Sequence, residues 1–159
     1  MEETKNYVRW SLLGLQGMFF AWVLAEVVLG LISVYSQYHS DAEFFQFDGS
    51  LILRILLGVM VIAMFLMGHF SYRRRMRFMQ LDWGVVQKMN WYRKAFVGKM
   101  MFFSMAGFLT LVGYLYSHFM LWLMPWILSL YLIGRSFPFK PVISMELQLN
   151  EEEREMLSA

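Results

Sequence analysis

The sequence predicts an all-α integral membrane protein, a four-helix bundle built from two helical hairpins. Three observations predict this fold. Hydrophobic residues make up 58% of the chain and charged residues 16%, whereas soluble domains are about 25% charged. Four separate apolar runs are each close to the ~20 residues that cross a hydrocarbon core. The polar segments between these runs differ in charge, as loops on opposite sides of a membrane do.

The apolar runs predict spans at about residues 8–34, 51–70, 96–116 and 119–137. Each span is expected to be helical, because a helix satisfies its own backbone hydrogen bonds in lipid. Residues 1–141 form the predicted transmembrane domain, and residues 142–159 form an acidic cytoplasmic tail. The N-terminus lacks a short apolar core followed by a cleavage site, so the first run is interpreted as a retained helix.

Loop charge predicts the orientation of the spans. Segment 71–99 contains eight Lys or Arg residues and one acid, Asp82, whereas segment 35–50 contains three acids and no Lys or Arg. Basic loops stay on the cytoplasmic side. The central loop is therefore predicted to be cytoplasmic, and with four spans both termini are cytoplasmic as well. We expect a protein of the bacterial inner membrane.

The two hairpins resemble each other in sequence. Asn6 aligns with Asn90, and the Arg and Gly that follow align at the same offset of 84 residues; a Met-Phe-Phe triplet then aligns at 83. One interpretation is a parallel internal repeat, a layout that some transporters use. The other is two unrelated hairpins with similar starts, since chance matches are common in apolar sequence.

Glu26 is an acid within the first span, and such residues are costly in lipid and suggest a function or a partner. It lies eight residues before Val34, which is ~12 Å inside the outer boundary. Arg54, near the outer end of the second span, is ~5 Å deep. We predict an intramembrane ion pair between Glu26 and Arg54. Its role is either to fix the first hairpin or to handle a proton or substrate. The remaining alternative is a Glu26 that faces a partner protein or stays protonated.

Small residues mark candidate helix contacts. Gly17, Ala21 and Ala25 are four residues apart on the first span, and Gly107 and Gly113 lie on the third. Small residues at this spacing let helices approach closely. The pattern fits contacts within the bundle and contacts between subunits equally well.

A dense basic patch follows the second span. It consists of Arg73, Arg74, Arg75 and Arg77. Its expected role is to fix topology and to contact anionic lipid at the cytoplasmic face, where each such residue contributes ~1 kcal/mol. Nucleic-acid binding is not expected, because the patch lies at the bilayer.

The tail predicts one short acidic helix. Asn150 and Glu153 are three residues apart, as in a capping box, and further acids crowd the first turn. The tail is either a frayed end or a docking peptide for a partner subunit.

The sequence contains no recognisable catalytic set. It has no cysteine, and it lacks the short motifs of metalloproteases, hydrolases and phosphate-binding loops. His39 and His118 both fall on the predicted outer side, where a metal or haem site is a minor alternative. No catalytic residue, metal or cofactor is therefore expected.

These observations predict a non-enzymatic membrane subunit that assembles with or anchors a larger complex, with a partner subunit or a second copy of the chain. The alternative is a small oligomeric transporter or channel protomer with a site at Glu26 and Arg54. A membrane enzyme acting on lipid or quinone would need a second polar cluster, and the sequence offers none that converges.

Overall fold

The computed structural model describes residues 2–39, 51–80, 82–117 and 120–158. Within these ranges the chain forms six α-helices and a 3₁₀ turn, and no residue lies in a β-strand. In chain order the elements are α1 (Glu2–His39), α2 (Leu51–Arg77), α3 (Val85–Ser117), the 3₁₀ turn (Met120–Trp122), α4 (Leu123–Arg135), α5 (Lys140–Glu146) and α6 (Glu151–Ser158). The predicted all-α class is confirmed.

Helices α1, α2 and α3 are each long and apolar enough to cross a membrane. The chain from the 3₁₀ turn through α5 passes the same test as a pair of helices bent by 81°. The protein therefore has three candidate spans, or four if the bent pair is one span. The three long helices extend beyond the predicted runs, because helical hydrogen bonding continues after the apolar residues end. Helix α3, for example, begins at Val85 rather than near residue 96.

The fourth predicted span is shorter than expected. Helix α4 has 13 residues, and Pro125 lies in its first turn, where the missing N–H breaks no intrahelical bond. The chain then bends, and α5 begins with Pro141 in its first turn. Helix α5 crosses the predicted boundary at residue 141 between membrane domain and tail, and it was not predicted.

Helix α3 is the centre of the fold. Helices α1, α2 and α4 all pack on α3, and α1 also contacts α4 and α6. Helices α1 and α2, the predicted first hairpin, thus each pack on α3. Helix α2 buries little of its own surface, namely Val61, Gly68 and Tyr72. At Gly68 it approaches α3 closely, since a methyl group built there would lie 3.0 Å from Phe102 Cβ.

The start of α1, the end of α2, the start of α3 and the short helices α5 and α6 lie at the same end of the bundle. Near the start of α1, the Tyr7 hydroxyl donates a hydrogen bond to Asn90 Oδ1 on α3 at 2.7 Å. Near the end of α2, the Tyr72 hydroxyl donates to Glu146 Oε2 on α5 at 2.6 Å. We call this end the basic end, because the arginines of residues 73–77 lie there.

The tail is a helix that packs on the bundle. Asn150 Oδ1 accepts a hydrogen bond from the Glu153 N–H at 2.8 Å, and Glu153 Oε2 accepts one from the Asn150 N–H at 3.2 Å. The predicted capping box is thus confirmed. Leu157 is buried, and Glu153 pairs with Lys88 of α3 at 3.0 Å. The described part of the tail is therefore a packed helix and not a frayed end.

Candidate functional site

One face of α1 is buried along most of its length. Its members recur every three or four residues, with half-buried Trp22 and Val23 filling one interval: Val8, Leu12, Leu15, Phe19, Glu26, Gly30 and Ser33. This spacing is that of a helix stripe packed against its neighbours. Glu26 falls on the stripe, is only 3% exposed, and therefore faces the interior of the bundle.

The Glu26 carboxyl group lies where α1, α3 and α4 meet. A methyl group built on Gly107 of α3 would lie 2.6 Å from Glu26 Oε2 and 2.8 Å from Ser129 Oγ of α4. Real carbon atoms essentially never approach an unbonded atom that closely. Glycine at position 107 is therefore what lets the carboxyl group, α3 and α4 share one point.

Two further polar side chains adjoin this carboxyl group, Ser104 of α3 and Trp126 of α4. Ser104 precedes Gly107 by three residues and Trp126 precedes Ser129 by three, so each pair shares one helix face. The Trp126 indole also packs directly over Gly30, one turn beyond Glu26 on α1. We call Glu26, Ser104, Trp126 and Ser129 the carboxyl site.

Three buried atoms of the carboxyl site lack a hydrogen-bond partner among the described residues: Glu26 Oε2, Ser104 Oγ and Trp126 Nε1. Ser104 and Trp126 lie within reach of a hydrogen bond to the Glu26 carboxyl group. The hydroxyls of Ser129 and Thr110 differ, because they donate to backbone carbonyls of their own helices at 2.7 and 2.6 Å. Buried polar atoms are nearly always paired in folded proteins. The unpaired atoms are therefore free hydrogen-bonding capacity in an apolar setting.

Arg54, the predicted partner of Glu26, lies elsewhere. It is in the first turn of α2, where it lines a hollow with Leu51, Leu121 and Trp122. Its Nε atom is buried and unpartnered within the described chain. Among the described residues no ion pair joins Glu26 to Arg54, and the Glu26 carboxyl group lies against α3 and α4.

The small residues predicted to pack helices divide into two groups. Gly107 and Gly113 are close-contact points; a methyl group built on Gly113 would lie 2.8 Å from the Trp122 ring. Gly17, Ala21 and Ala25 instead lie on the exposed side of α1. A methyl group built on Gly17 has no atom of the described chain within 4 Å. We call these three residues the small-residue face.

The predicted basic patch is exposed at the C-terminus of α2. Arg73, Arg74 and Arg77 extend outward, and Arg75 is exposed as well, although its Nη1 donates to the Lys94 carbonyl on α3 at 3.0 Å. Positive charge is favourable at a helix C-terminus. Arg75 therefore also links α2 to α3.

A polar cluster at the basic end was not predicted. Tyr72 donates to Glu146, as described above, and Lys99 Nζ lies over the Tyr72 ring, 4.8 Å from its centroid. The Tyr92 ring packs edge-on against Tyr72. Glu146 belongs to α5, which the sequence pattern did not indicate, so no sequence signal joined these residues.

Glu26 is the one member of the carboxyl site that the sequence analysis singled out, and its side chain is buried. Ser104, Trp126 and Ser129 were missed. Their signal was the three-residue spacing that places Ser104 beside Gly107 and Trp126 beside Ser129.

Within the part of the chain that the structure describes, no group of three or more His, Cys, Asp or Glu residues could hold a metal ion. His118 and the side chain of His39 lie outside the described residues.

Comparison with protein-family models, with curated proteins and with solved structures finds no match to this chain. The interpretation of the site therefore depends on its geometry.

Proposed function

We propose that the chain is a non-enzymatic integral membrane subunit that assembles with or anchors a larger membrane complex. The observation that carries the proposal is the small-residue face of α1. Gly17, Ala21 and Ala25 are aligned at four-residue spacing and are left open by the described fold. Lipid provides no hydrophobic drive for helix association, so close backbone approach at small residues is the main attraction between spans.

The proposed occupant of the small-residue face is a transmembrane helix of a partner subunit. The buried stripe of α1 is already occupied by α3, α4 and α6. The tail, the other candidate docking element, packs Leu157 inward and pairs Glu153 with Lys88. The exposed side of α1 is therefore the better surface for a helix from another chain.

Two matched glycine substitutions test this proposal. A methyl group built on Gly17 or on Gly58 of α2 meets no atom of the described chain within 4 Å. Gly17→Ile and Gly58→Ile thus add the same side chain at open positions, and neither should unfold the chain. Because the chain has no cysteine, Leu24→Cys beside the small-residue face can carry a single photoreactive maleimide. Cross-linking is measured in the native membrane.

We expect a specific cross-link to a partner subunit. Gly17→Ile should weaken association about tenfold, equivalent to ~1.4 kcal/mol, and Gly58→Ile should leave it unchanged. If cross-links form only between two differently tagged copies of the chain, the occupant of the small-residue face is a second copy and not a partner subunit. Equal yields from the two variants, or a chain that stays monomeric, would refute the assembly surface.

We propose in addition that the chain lies in a bacterial inner membrane with both termini cytoplasmic and the bent α4–α5 pair as the fourth span. The shared position of both termini and the basic loop supports this orientation. In it, Arg73, Arg74 and Arg77 face anionic lipid headgroups, each contributing ~1 kcal/mol. Replacing all three with Gln should reduce co-purifying anionic lipid in native mass spectrometry. Unchanged lipid would contradict the contact. The internal repeat stays a prediction.

A second candidate function is a small oligomeric transporter or channel protomer. The observation favouring it is the buried carboxyl group of Glu26 within a span, since such groups mark ion and proton pathways. In this version Glu26 acts without Arg54. Glu26→Gln should abolish proton flux into vesicles while the protein stays folded. If wild-type vesicles show no flux above empty vesicles, this candidate fails.

A further inference from the structure

We propose that the Glu26 carboxyl group is a reversible proton-binding site inside the membrane. The ligand is a proton taken from water, which forms an O–H bond on a carboxyl oxygen and converts the carboxylate to a neutral acid. Release breaks that O–H bond and returns the proton to water. No other bond changes, and no electron is transferred. The proposal is independent of the proposed subunit function.

Burial favours the neutral, protonated form of the Glu26 carboxyl group. Glu26 is 3% exposed, and an unpaired carboxylate in an apolar medium is strongly disfavoured relative to the neutral acid. The polar side chains facing it are Ser104 from α3 and Trp126 and Ser129 from α4. None of them is charged or titrates near neutral pH, and no charged group of the described chain pairs with this carboxyl group. Binding a proton is the available way to neutralise it.

The side chains around Glu26 can form hydrogen bonds with both the acid and the carboxylate. A neutral carboxylic acid has one O–H donor and one carbonyl acceptor. The Trp126 indole N–H can only donate, and so it suits the carbonyl oxygen. The Ser104 hydroxyl can accept the acid proton, and after rotation it can donate to the carboxylate. The three atoms that are unpartnered in the structure thus match the acid and the carboxylate in turn. Such a set suits a group that changes protonation state.

The carboxyl site is poorly suited to a metal cation. Hard cations are bound by several oxygen ligands at once. The carboxyl site offers few, because its side chains are one carboxyl group, two hydroxyls and an indole N–H. The Trp126 N–H is a donor and would repel a cation. The donor set therefore fits a proton better than sodium or calcium.

Infrared spectroscopy of the full chain in phosphatidylcholine vesicles tests the proposal, because a protonated carboxyl group has its own carbonyl band. At neutral pH we expect such a band, which Glu26→Gln removes and the exposed control Glu152→Gln retains. The band should shift to lower frequency in deuterium oxide, since the proton exchanges with water. It should disappear at high pH as the carboxylate forms.

A second variant adds a readout that a merely structural role would not move. Trp126→Phe removes the only N–H donor of the carboxyl site, so the carbonyl band should shift to higher frequency. This measurement also decides the matter if Glu26→Gln fails to fold.

Four results would overturn the proposal. The first is the absence of a protonated-carboxyl band in the wild-type chain at neutral pH, and the second is a band that does not shift in deuterium oxide. The third is a carbonyl band whose frequency is unchanged by Trp126→Phe. The fourth is loss of the band when sodium chloride replaces choline chloride. The last result would indicate a cation site.

Discussion

Replacing Gly107 with alanine perturbs the point where α1, α3 and α4 meet. The added methyl group would lie 2.6 Å from Glu26 Oε2 and 2.8 Å from Ser129 Oγ. Both atoms belong to buried side chains, and so neither can move into solvent to relieve the contact. We expect α1 or α4 to shift away from α3, with loss of stability.

The magnitude follows from two opposing effects. Alanine is favoured over glycine within a helix by about 1 kcal/mol. Extra volume in a packed interior destabilises by about 1–3 kcal/mol. The net expected change for Gly107→Ala is a loss of roughly 0–2 kcal/mol. Gly17→Ala is the matched control, because it gains the same helix preference at an open position. The two variants should differ by about 1–3 kcal/mol.

The assay is unfolding in mixed micelles with increasing dodecyl sulfate, followed by far-ultraviolet circular dichroism. The free energy of unfolding is compared for both variants, and again for Gly107→Ala combined with Glu26→Ala. Since truncating Glu26 removes the nearer contact, the penalty for alanine at position 107 should shrink by about 1 kcal/mol. If Gly107→Ala is as stable as Gly17→Ala, the close three-helix contact does not exist.

Three further predictions concern individual contacts. Glu153→Gln leaves the buried Lys88 ammonium unpaired and should destabilise the packing of α6 by about 3–5 kcal/mol, measured as faster proteolysis of the tail. Combining Glu153→Gln with Lys88→Met should recover much of this loss. Equal proteolysis of the wild-type chain, the single variant and the double variant would contradict this prediction. Gln148, two residues after the end of α5, has a positive φ of 48°. Gln148→Gly should raise the free energy of unfolding by about 0.5–1 kcal/mol. An unchanged or lower value would refute this prediction. Glu26→Gln and Arg54→Met should be additive within about 0.5 kcal/mol in the same assay, whereas a larger coupling would indicate a Glu26–Arg54 contact.

The spans were predictable because length and apolarity are local properties of the chain. The apolar runs at 51–70 and 96–116 lie within α2 and α3 as observed. The ends of these helices were harder to predict, because helical hydrogen bonding depends on neighbouring turns and not on hydropathy. Helix α5 was missed since seven residues are too few to show an apolar period and two prolines flank its start.

The arrangement of the helices was less predictable than their existence. Adjacent spans joined by a short segment are natural neighbours, and this reasoning paired α1 with α2. Hydropathy predicts that a segment lies in lipid, but it does not predict which other segment packs against that segment. Small residues have the same limit. Gly17 and Gly107 are indistinguishable as packing positions in the sequence, yet Gly17 is open and Gly107 lies at a close contact between helices.

Glu26 shows which sequence property carried the missing information. Depth alone suggested Arg54 as its partner, because both residues are near the outer side. Direction around the helix decides the contact instead. Leu12, Leu15 and Phe19 are apolar at three- and four-residue spacing, and continuing that spacing through the half-buried turn at 22–23 reaches Glu26 and Gly30. An acid and a glycine on the stripe that otherwise buries large apolar residues imply that a neighbouring helix supplies both a polar group and a bulky ring. Trp126 supplies the two together, which is why the carboxyl group lies against α3 and α4.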